Sequence, residues 1–376
     1  MKNKITSIIT AVSFLAVLIF FATCGALLPD NEISYSERRK LASLPELSVE
    51  KLFGNEAGSK SYFDELEKYF LDQFPLRDAF RTLNVSTRKY GFMQKDIGGI
   101  YVVGDRIFKM EYVLNEKAVE RSADVYLKVI EKYFSDNGAD IYYTIVPDKN
   151  YYSAEANGRL SLDYEKMFSV MNEKMAEYTF IDIRDTLSAD DYYRTDLHWE
   201  QQKITDTANA LIAAMGEAGN VNAEDFEKKS FSGFKGAYYG QAALPIEPDE
   251  LVYLTNATLE ACKIFDYEQN KYVTVYAEEK LGGVDSYDVY LHGARALMTI
   301  ENPNAGKDKE LVIFRDSFGS SLAPLLVENY SKITLVDIRY VSSENIERFI
   351  GFSDNCDVLF MYNTGTLNTL GQGSIS

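Results

Sequence analysis

An α/β fold, a parallel sheet with flanking helices, is what this 376-residue chain predicts. A β-rich insertion and an N-terminal membrane segment accompany it. Three observations lead there. Short apolar runs recur at 141–146, 311–314, 333–337 and 357–362, as in strands buried on both faces of a parallel sheet. Stretches with helical spacing separate the later runs, the rhythm of strand–helix–strand crossovers. Lys2 and Lys4 precede an uncharged run from Ile5 to Leu28, and Asp30 and Glu32 follow it.

Apolar residues make up 46% of the chain, enough for one large or two modest cores. The net charge of −18 argues against nucleic acid and against electrostatic docking on anionic lipid, since no basic stripe exists to neutralise phosphates. Residues 1–28 read as an uncleaved signal anchor or a signal peptide. The 24 uncharged residues span about 36 Å as a helix, and the leading lysines keep the N-terminus inside. The body is then extracytoplasmic, held at a membrane by this single segment. Cys262 and Cys356 are the cysteines outside that segment, and their pairing is open. No Cys-x-x-Cys or His cluster suggests a metal site, and no cofactor is expected.

Residues 29–97 form an extended arm and a helical extension. Tyr62, Phe63, Leu66 and Phe70 keep helical spacing, Asp72-Gln73-Phe74-Pro75 interrupts, and Leu76, Phe80, Leu83 and Tyr90 line a second helix. The expectation is that both helices pack on the main domain, which spans 98–365. It starts with a hairpin at 98–108 around a Gly-Asp turn. A helix follows, with Val119, Tyr126, Val129, Ile130 and Tyr133 on one face and Asn137-Gly138 as its stop. The strand 141–146 ends in Pro147-Asp148-Lys149, at the sheet end where ligands of open α/β sheets bind. Lys149 is therefore a candidate for binding a carboxylate or sugar oxygen, with a solvated turn as the alternative. A helix near 164–177, a short strand at 180–183 and a helix from Glu200 follow. Residues 222–292 are rich in Gly, Tyr and Thr and read as the β-rich insertion. Its tyrosines, among them Tyr238, Tyr239 and Tyr290, suit either sugar stacking or strand packing, and packing is favoured. After 314 come a helix, a strand at 333–337, a short helix at 343–351 and a last strand at 357–362. Residues 366–376 are expected to be loose.

Two stretches carry chemistry. In Leu311-Val312-Ile313-Phe314-Arg315-Asp316-Ser317-Phe318-Gly319-Ser320 a buried strand turns into a helix at Ser317. A helix N-terminus there offers N–H groups to a developing oxyanion; a plain helix cap is the bland alternative. In Tyr192-Tyr193-Arg194-Thr195-Asp196-Leu197-His198-Trp199 stand one of two histidines and the only tryptophan. Asp196 and His198 lie two apart, on one side of an extended segment. An Asp beside a His fixes its tautomer, as serine nucleophiles require. His292 is the other candidate base, but it lacks a neighbouring Asp and reads as a turn residue.

Asp196-Leu197-His198-Trp199 and Arg315-Asp316-Ser317-Phe318 resemble the DHHW family of bacterial extracytoplasmic proteins, which is related to alginate O-acetyltransferase proteins of the AlgX and AlgJ type. Ser36-Glu37-Arg38-Arg39-Lys40-Leu41, Asp72-Gln73-Phe74-Pro75-Leu76-Arg77-Asp78, Val146-Pro147-Asp148-Lys149 and Val336-Asp337-Ile338-Arg339-Tyr340 extend the resemblance over 34–365. Leu197 stands where the family has its first His, and Arg315 where the SGNH pattern has Gly. The resemblance implies an SGNH-hydrolase-like fold and a Ser317–His198–Asp196 triad. It implies O-acetylation, or deacetylation, of an exported or cell-surface polysaccharide, with a membrane-bound O-acyltransferase partner presenting the donor. Ser317 N–H, Arg315 and Asn363 are the oxyanion candidates, Tyr193 is a further contact, and Arg339 is a candidate clamp for an anionic group. A glycan-binding or scaffold protein without activity, and a plain esterase, remain as alternatives.

Overall fold

A computed structural model describes residues 2–48, 52 and 61–370. The chain divides into two compact units. The first comprises residues 1–97 and 240–245. Its N-terminal helix, Lys2–Leu27, contains a 24-residue span of mean hydropathy 2.5. Among the described residues it is the one helix long and apolar enough to cross a membrane. Strands β1 (Ile33–Ser34) and β2 (Arg39–Lys40) form a small antiparallel pair in the arm. Helix Tyr62–Asp72 starts with a Ser61/Asp64 capping box, and helix Arg77–Ser86 runs on through a widened turn, Thr87–Gly91.

The second unit comprises residues 98–239 and 246–376, described as far as 370. It opens with the hairpin β3 (Ile100–Val103) and β4 (Arg106–Lys109), turning at Gly104-Asp105. The further strands are β5 (Asp140–Val146), β6 (Thr179–Phe180), β7 (Glu227–Phe234), β8 (Asp249–Thr255), β9 (Lys263–Asp266), β10 (Lys271–Val273), β11 (Leu297–Glu301), β12 (Glu310–Arg315), β13 (Lys332–Val336) and β14 (Asp357–Asn363). Eight of them form one sheet in the order β10-β9-β11-β13-β12-β14-β5-β6. From β13 to β6 the neighbours are parallel. β11, β9 and β10 add an antiparallel edge.

The unbroken apolar runs follow from burial on both faces. In β12, Leu311 and Ile313 join one core and Val312 and Phe314 the other. In β14, Leu359 and Met361 alternate with Val358, Phe360 and Tyr362 in the same way. Helices Thr205–Ala214 and Phe318–Leu326 contribute to the first core, and Glu116–Tyr133 and Tyr164–Lys174 to the second. Each fully buried Leu, Ile or Phe contributes roughly 1.5–3 kcal/mol.

The 222–292 region divides differently from the expected single insertion. β7 and β8 pair by themselves, whereas β9 and β10 extend the main sheet through β11. The run Leu297-Met298-Thr299-Ile300 is buried throughout and makes β11 a sheet member that texture alone did not reveal. Thr364–Thr369 is a short helix, not a loose tail, because Leu367 and Leu370 turn into the second core. The rest of the expected tail, 371–376, and part of the arm, 49–51 and 53–60, lie outside the described residues. Cys262 and Cys356 are free thiols, both raised to about 11 by burial.

Candidate active site

β12 ends at Arg315, and Ser317 lies at the turn before helix Phe318–Leu326. Ser317 does not cap this helix through its side chain. The cap bond comes from Asp316, whose Oδ1 accepts from the Phe318 N–H at 3.1 Å. Asp316 Oδ2 accepts from the Asn363 N–H at 2.8 Å and from the Thr366 hydroxyl at 2.9 Å, tying the ends of β12 and β14 together. Ser317 Oγ is thereby free to turn toward His198, whose Nε2 lies 2.7 Å away.

His198 Nδ1 is 2.6 Å from Asp196 Oδ1. The carboxylate only accepts, so Nδ1 carries a proton and donates it to Asp196. In the neutral ring Nε2 then accepts from the Ser317 hydroxyl. Asp196 Oδ1 also accepts from the His198 N–H at 2.9 Å, and Oδ2 from the Ala237 N–H at 2.6 Å. The segment is a tight loop closed by a Tyr192/Trp199 bridge, not the extended stretch that spacing suggested. The two side chains meet because the Asp carboxylate turns back on the backbone two residues ahead. Asp196 is fully buried, His198 is nearly so, and Ser317 is half-exposed. Such a chain can deprotonate the serine as it attacks a carbonyl and hold the imidazolium that forms.

Several residues that no spacing pointed to build this loop. Tyr287 stacks flat on the His198 ring, with centroids 3.8 Å apart and planes 8° from parallel. Asp249, the first residue of β8, accepts from the Arg194 N–H, the Thr195 N–H and the Thr195 hydroxyl at 2.6–3.0 Å. Trp199 is buried edge-on against Phe318, and its indole N–H donates to Ser321 Oγ at 2.8 Å. Gln201 donates to the Ser321 carbonyl at 2.8 Å. The His-bearing loop is thus bolted to the helix that follows Ser317. Gly236 passes so close that a Cβ there would lie 2.4 Å from Asp196 Cβ, which no side chain permits.

The other sequence candidates fall into different roles. Lys149 is buried. Its ammonium donates to the carbonyls of Ile107, Tyr193 and Arg194 at 2.8, 2.6 and 2.9 Å, with the Asp196 carbonyl at 3.5 Å. Burial pushes its pKa down to about 7. Tyr193 is fully buried against Phe234, its hydroxyl 3.4 Å from that of Tyr290, so neither ring offers a sugar platform. Arg315 is fully buried, donating to Ser320 Oγ at 2.8 Å and packed against Gly319, where a Cβ would lie 2.7 Å from its own. Asn363 donates to the Val146 carbonyl at 3.1 Å and accepts from the Gly365 N–H. Arg339 forks onto Asp337 at 2.9 and 2.6 Å, which raises its pKa further. His292 adopts a left-handed φ of 60° and lies 3.0 Å from the Thr274 carbonyl, a turn residue as expected.

Lys149 gives a stability prediction. Lys149→Met strips the donor from buried carbonyls, each costing about 1–3 kcal/mol when unsatisfied. A large fall in the urea midpoint of unfolding is expected. The lowered pKa has its own sign. Between about pH 7 and the ordinary lysine value, the unfolded chain holds a proton that folded Lys149 lacks, so its contribution makes stability rise with pH. The variant should lose that increment, and a midpoint-against-pH slope identical to the parent's would contradict it.

The chain is similar in structure to a DHHW family protein from Eubacterium siraeum, at 19% identity and a TM-score of 0.58, covering 71% of this chain and 91% of that one. It is similar to Bacillus cereus PatB1 with a sulfonyl adduct, at 15% identity and a TM-score of 0.58, covering 73% and 97%. A second PatB1 structure gives 16% identity and a TM-score of 0.56, covering 73% and 98%. No curated protein matches the chain. The DHHW protein family matches residues 139–336, a stretch that runs from the first parallel strand through the Asp196–His198 loop and Ser317, and the chain belongs to that family.

Proposed function

We propose that this protein is an extracytoplasmic serine acyltransferase or esterase acting on O-acetyl groups of an exported or cell-surface polysaccharide. The observation that carries the reading is the unbroken relay Asp196–His198–Ser317, with bonds of 2.6 and 2.7 Å. Ser317 attacks the ester carbonyl of the donor. His198 takes the hydroxyl proton, and the leaving alcohol departs with it. In the second half-reaction His198 deprotonates a sugar hydroxyl or water, which takes the acetyl group from Ser317, and the imidazolium returns that proton to Ser317 Oγ as the acyl bond breaks. The Ser317 N–H makes no hydrogen bond among the described residues and lies at the N-terminus of helix Phe318–Leu326, so it supplies one oxyanion donor. Arg315 and Asn363, held by other partners, are not assigned that role.

The sulfonyl adduct of PatB1 suggests the first test, because sulfonyl electrophiles trap activated hydroxyls. Incubation with a sulfonyl fluoride should add one mass increment, located at Ser317 by peptide mapping. An activated acetyl ester should give a transient acetyl increment at the same residue. With acceptor glycan present, a transferase moves acetyl to sugar, whereas an esterase releases acetate regardless. Labelling spread over surface lysines with Ser317 unmodified would sink the reading.

We place the body outside the cell, anchored by the Lys4–Leu27 span with Lys2 and Lys4 inside. Protease added to intact cells should remove the body. Survival on intact cells with cleavage in lysates would reverse the orientation. A membrane-bound O-acyltransferase is the proposed donor partner.

A further inference from the structure

The first unit carries an apolar surface that the proposed chemistry does not use. On helix Tyr62–Asp72, Phe63, Phe70 and Leu71 are 60–64% exposed. Phe74 and Leu76 follow in the connection, and Phe80, Leu83 and Tyr90 line helix Arg77–Ser86 and its extension. Phe63 and Phe70, seven apart with Leu71 beside Phe70, share one face of helix Tyr62–Asp72, and Phe80 and Leu83, three apart, share one face of helix Arg77–Ser86.

The opposite face of the pair is already engaged. Arg39 forks onto Asp72 at 2.9 and 2.6 Å, and Arg77 and Arg81 both reach Glu37 at 2.9 Å. Gln73 donates to the carbonyls of Asn31 and Ala42 at 2.9 Å. The polar sides face the arm, and the apolar sides face outward.

One contact says what covers them. Phe21, inside the 24-residue apolar span, stacks on Phe74 with centroids 5.1 Å apart and meets Phe80 at 5.7 Å. Phe74 and Phe80 also touch each other at 5.8 Å. Phe21 lies six residues before the end of the helix at Leu27, which is about 9 Å along its axis. For an upright span that leaves the lipid at Leu27, a side chain that touches Phe21 lies at that depth. Amphipathic helices lying in a membrane interface bury their apolar face roughly 5–10 Å deep, which agrees.

We propose that the helix pair 61–91 is an interfacial membrane element, its Phe63–Phe70–Leu71 and Phe80–Leu83–Tyr90 faces inserted in the lipid beside the span. This rests on the reading that Lys4–Leu27 crosses the bilayer. The outward groups are aromatic and aliphatic apart from Glu67, an exposed acid between Phe63 and Phe70, so insertion is driven by apolar area and does not need anionic lipid. That accords with the net charge of −18. A single span allows rotation and tilt, and a second, lateral attachment removes both freedoms from this unit.

The test uses the full chain in phosphatidylcholine nanodiscs, with and without bromine on the acyl chains. Trp199, fully buried, supplies a constant background. Phe70→Trp and Leu83→Trp report on the two helices, and Phe14→Trp reports on the span. Expected is loss of the added fluorescence in brominated discs for all three, with acrylamide in the water ineffective. If Phe14→Trp is quenched by bromine while the other two respond only to acrylamide, the span stands and the interfacial element is overturned. If Phe14→Trp is not quenched either, the span reading fails and takes this inference with it. Protection of the two helix positions from both quenchers would mean that protein, a second copy or a partner, covers the face, and this too overturns the proposal.

Discussion

Replacing Ser317 by alanine is expected to abolish turnover of an activated acetyl ester, by about 10³- to 10⁶-fold, while leaving the fold intact. The separation between these two effects comes from the local structure. Ser317 has φ −62° and ψ −23°, an ordinary helical conformation that alanine adopts freely. Its side chain makes no cap bond, because Asp316 performs the capping. The change removes one half-exposed hydroxyl and its bond to His198, which costs stability on the order of 1 kcal/mol. It also removes the nucleophile, whose loss the remaining groups cannot replace. His198→Ala should cost about as much, and the double variant little more, because the members act as a unit. Steady-state hydrolysis beside a thermal melt of each variant checks both halves. Equal ester turnover by the parent and Ser317→Ala would leave the non-catalytic glycan-binding reading in place.

Asp196→Asn is expected to lower turnover about 10⁴-fold with the backbone nearly unmoved. The carboxylate accepts N–H bonds on both oxygens, from the His198 backbone and ring on Oδ1 and from Ala237 on Oδ2. An amide has an accepting end and a donating end, and neither orientation suits the site. With NH₂ toward Ala237, two donors oppose each other. With NH₂ toward His198, it opposes the His198 N–H, and the ring must accept at Nδ1. The ring proton then moves to Nε2, which points at Ser317 as a donor and cannot take its proton. The stacked Tyr287 ring holds the imidazole plane, so the ring cannot swing away to compensate. A fall in kcat with KM nearly unchanged, and an unchanged melting temperature to within a few degrees, is the result to look for. Activity near the parent's would mean that Asp196 is only a loop acceptor.

Much of this was legible in the chain. The apolar run after Lys2 and Lys4 determines a helix of membrane-spanning length, since length and absence of charge are properties of the segment itself. The runs 311–314 and 357–362 determine buried strands, because continuous apolar sequence has no solvent-facing side. Ser317 at the change from apolar strand to helical spacing was readable for the same local reason. So was the pairing of Asp196 with His198, which needs two intervening peptide bonds and nothing distant.

Tertiary structure decided the rest, because periodicity says which residues share a face and never which faces meet. Closure of His198 on Ser317 spans 119 residues and depends on Trp199 and Gln201 gripping Ser321. Tyr287 and Asp249 reach the site from a region whose texture promised only an insertion, and β11 joins the sheet unannounced. Lys149, Tyr193 and Arg315 read as polar groups at a strand or loop end, where ligands gather. Carbonyls, rings and a helix close over them instead, and burial of a polar side chain depends on everything packed around it, which lies elsewhere in the chain. The 61–91 helices show the converse. Their apolar spacing determined two amphipathic helices, and the contact of Phe21 with Phe74 and Phe80 is a tertiary fact that spacing does not contain.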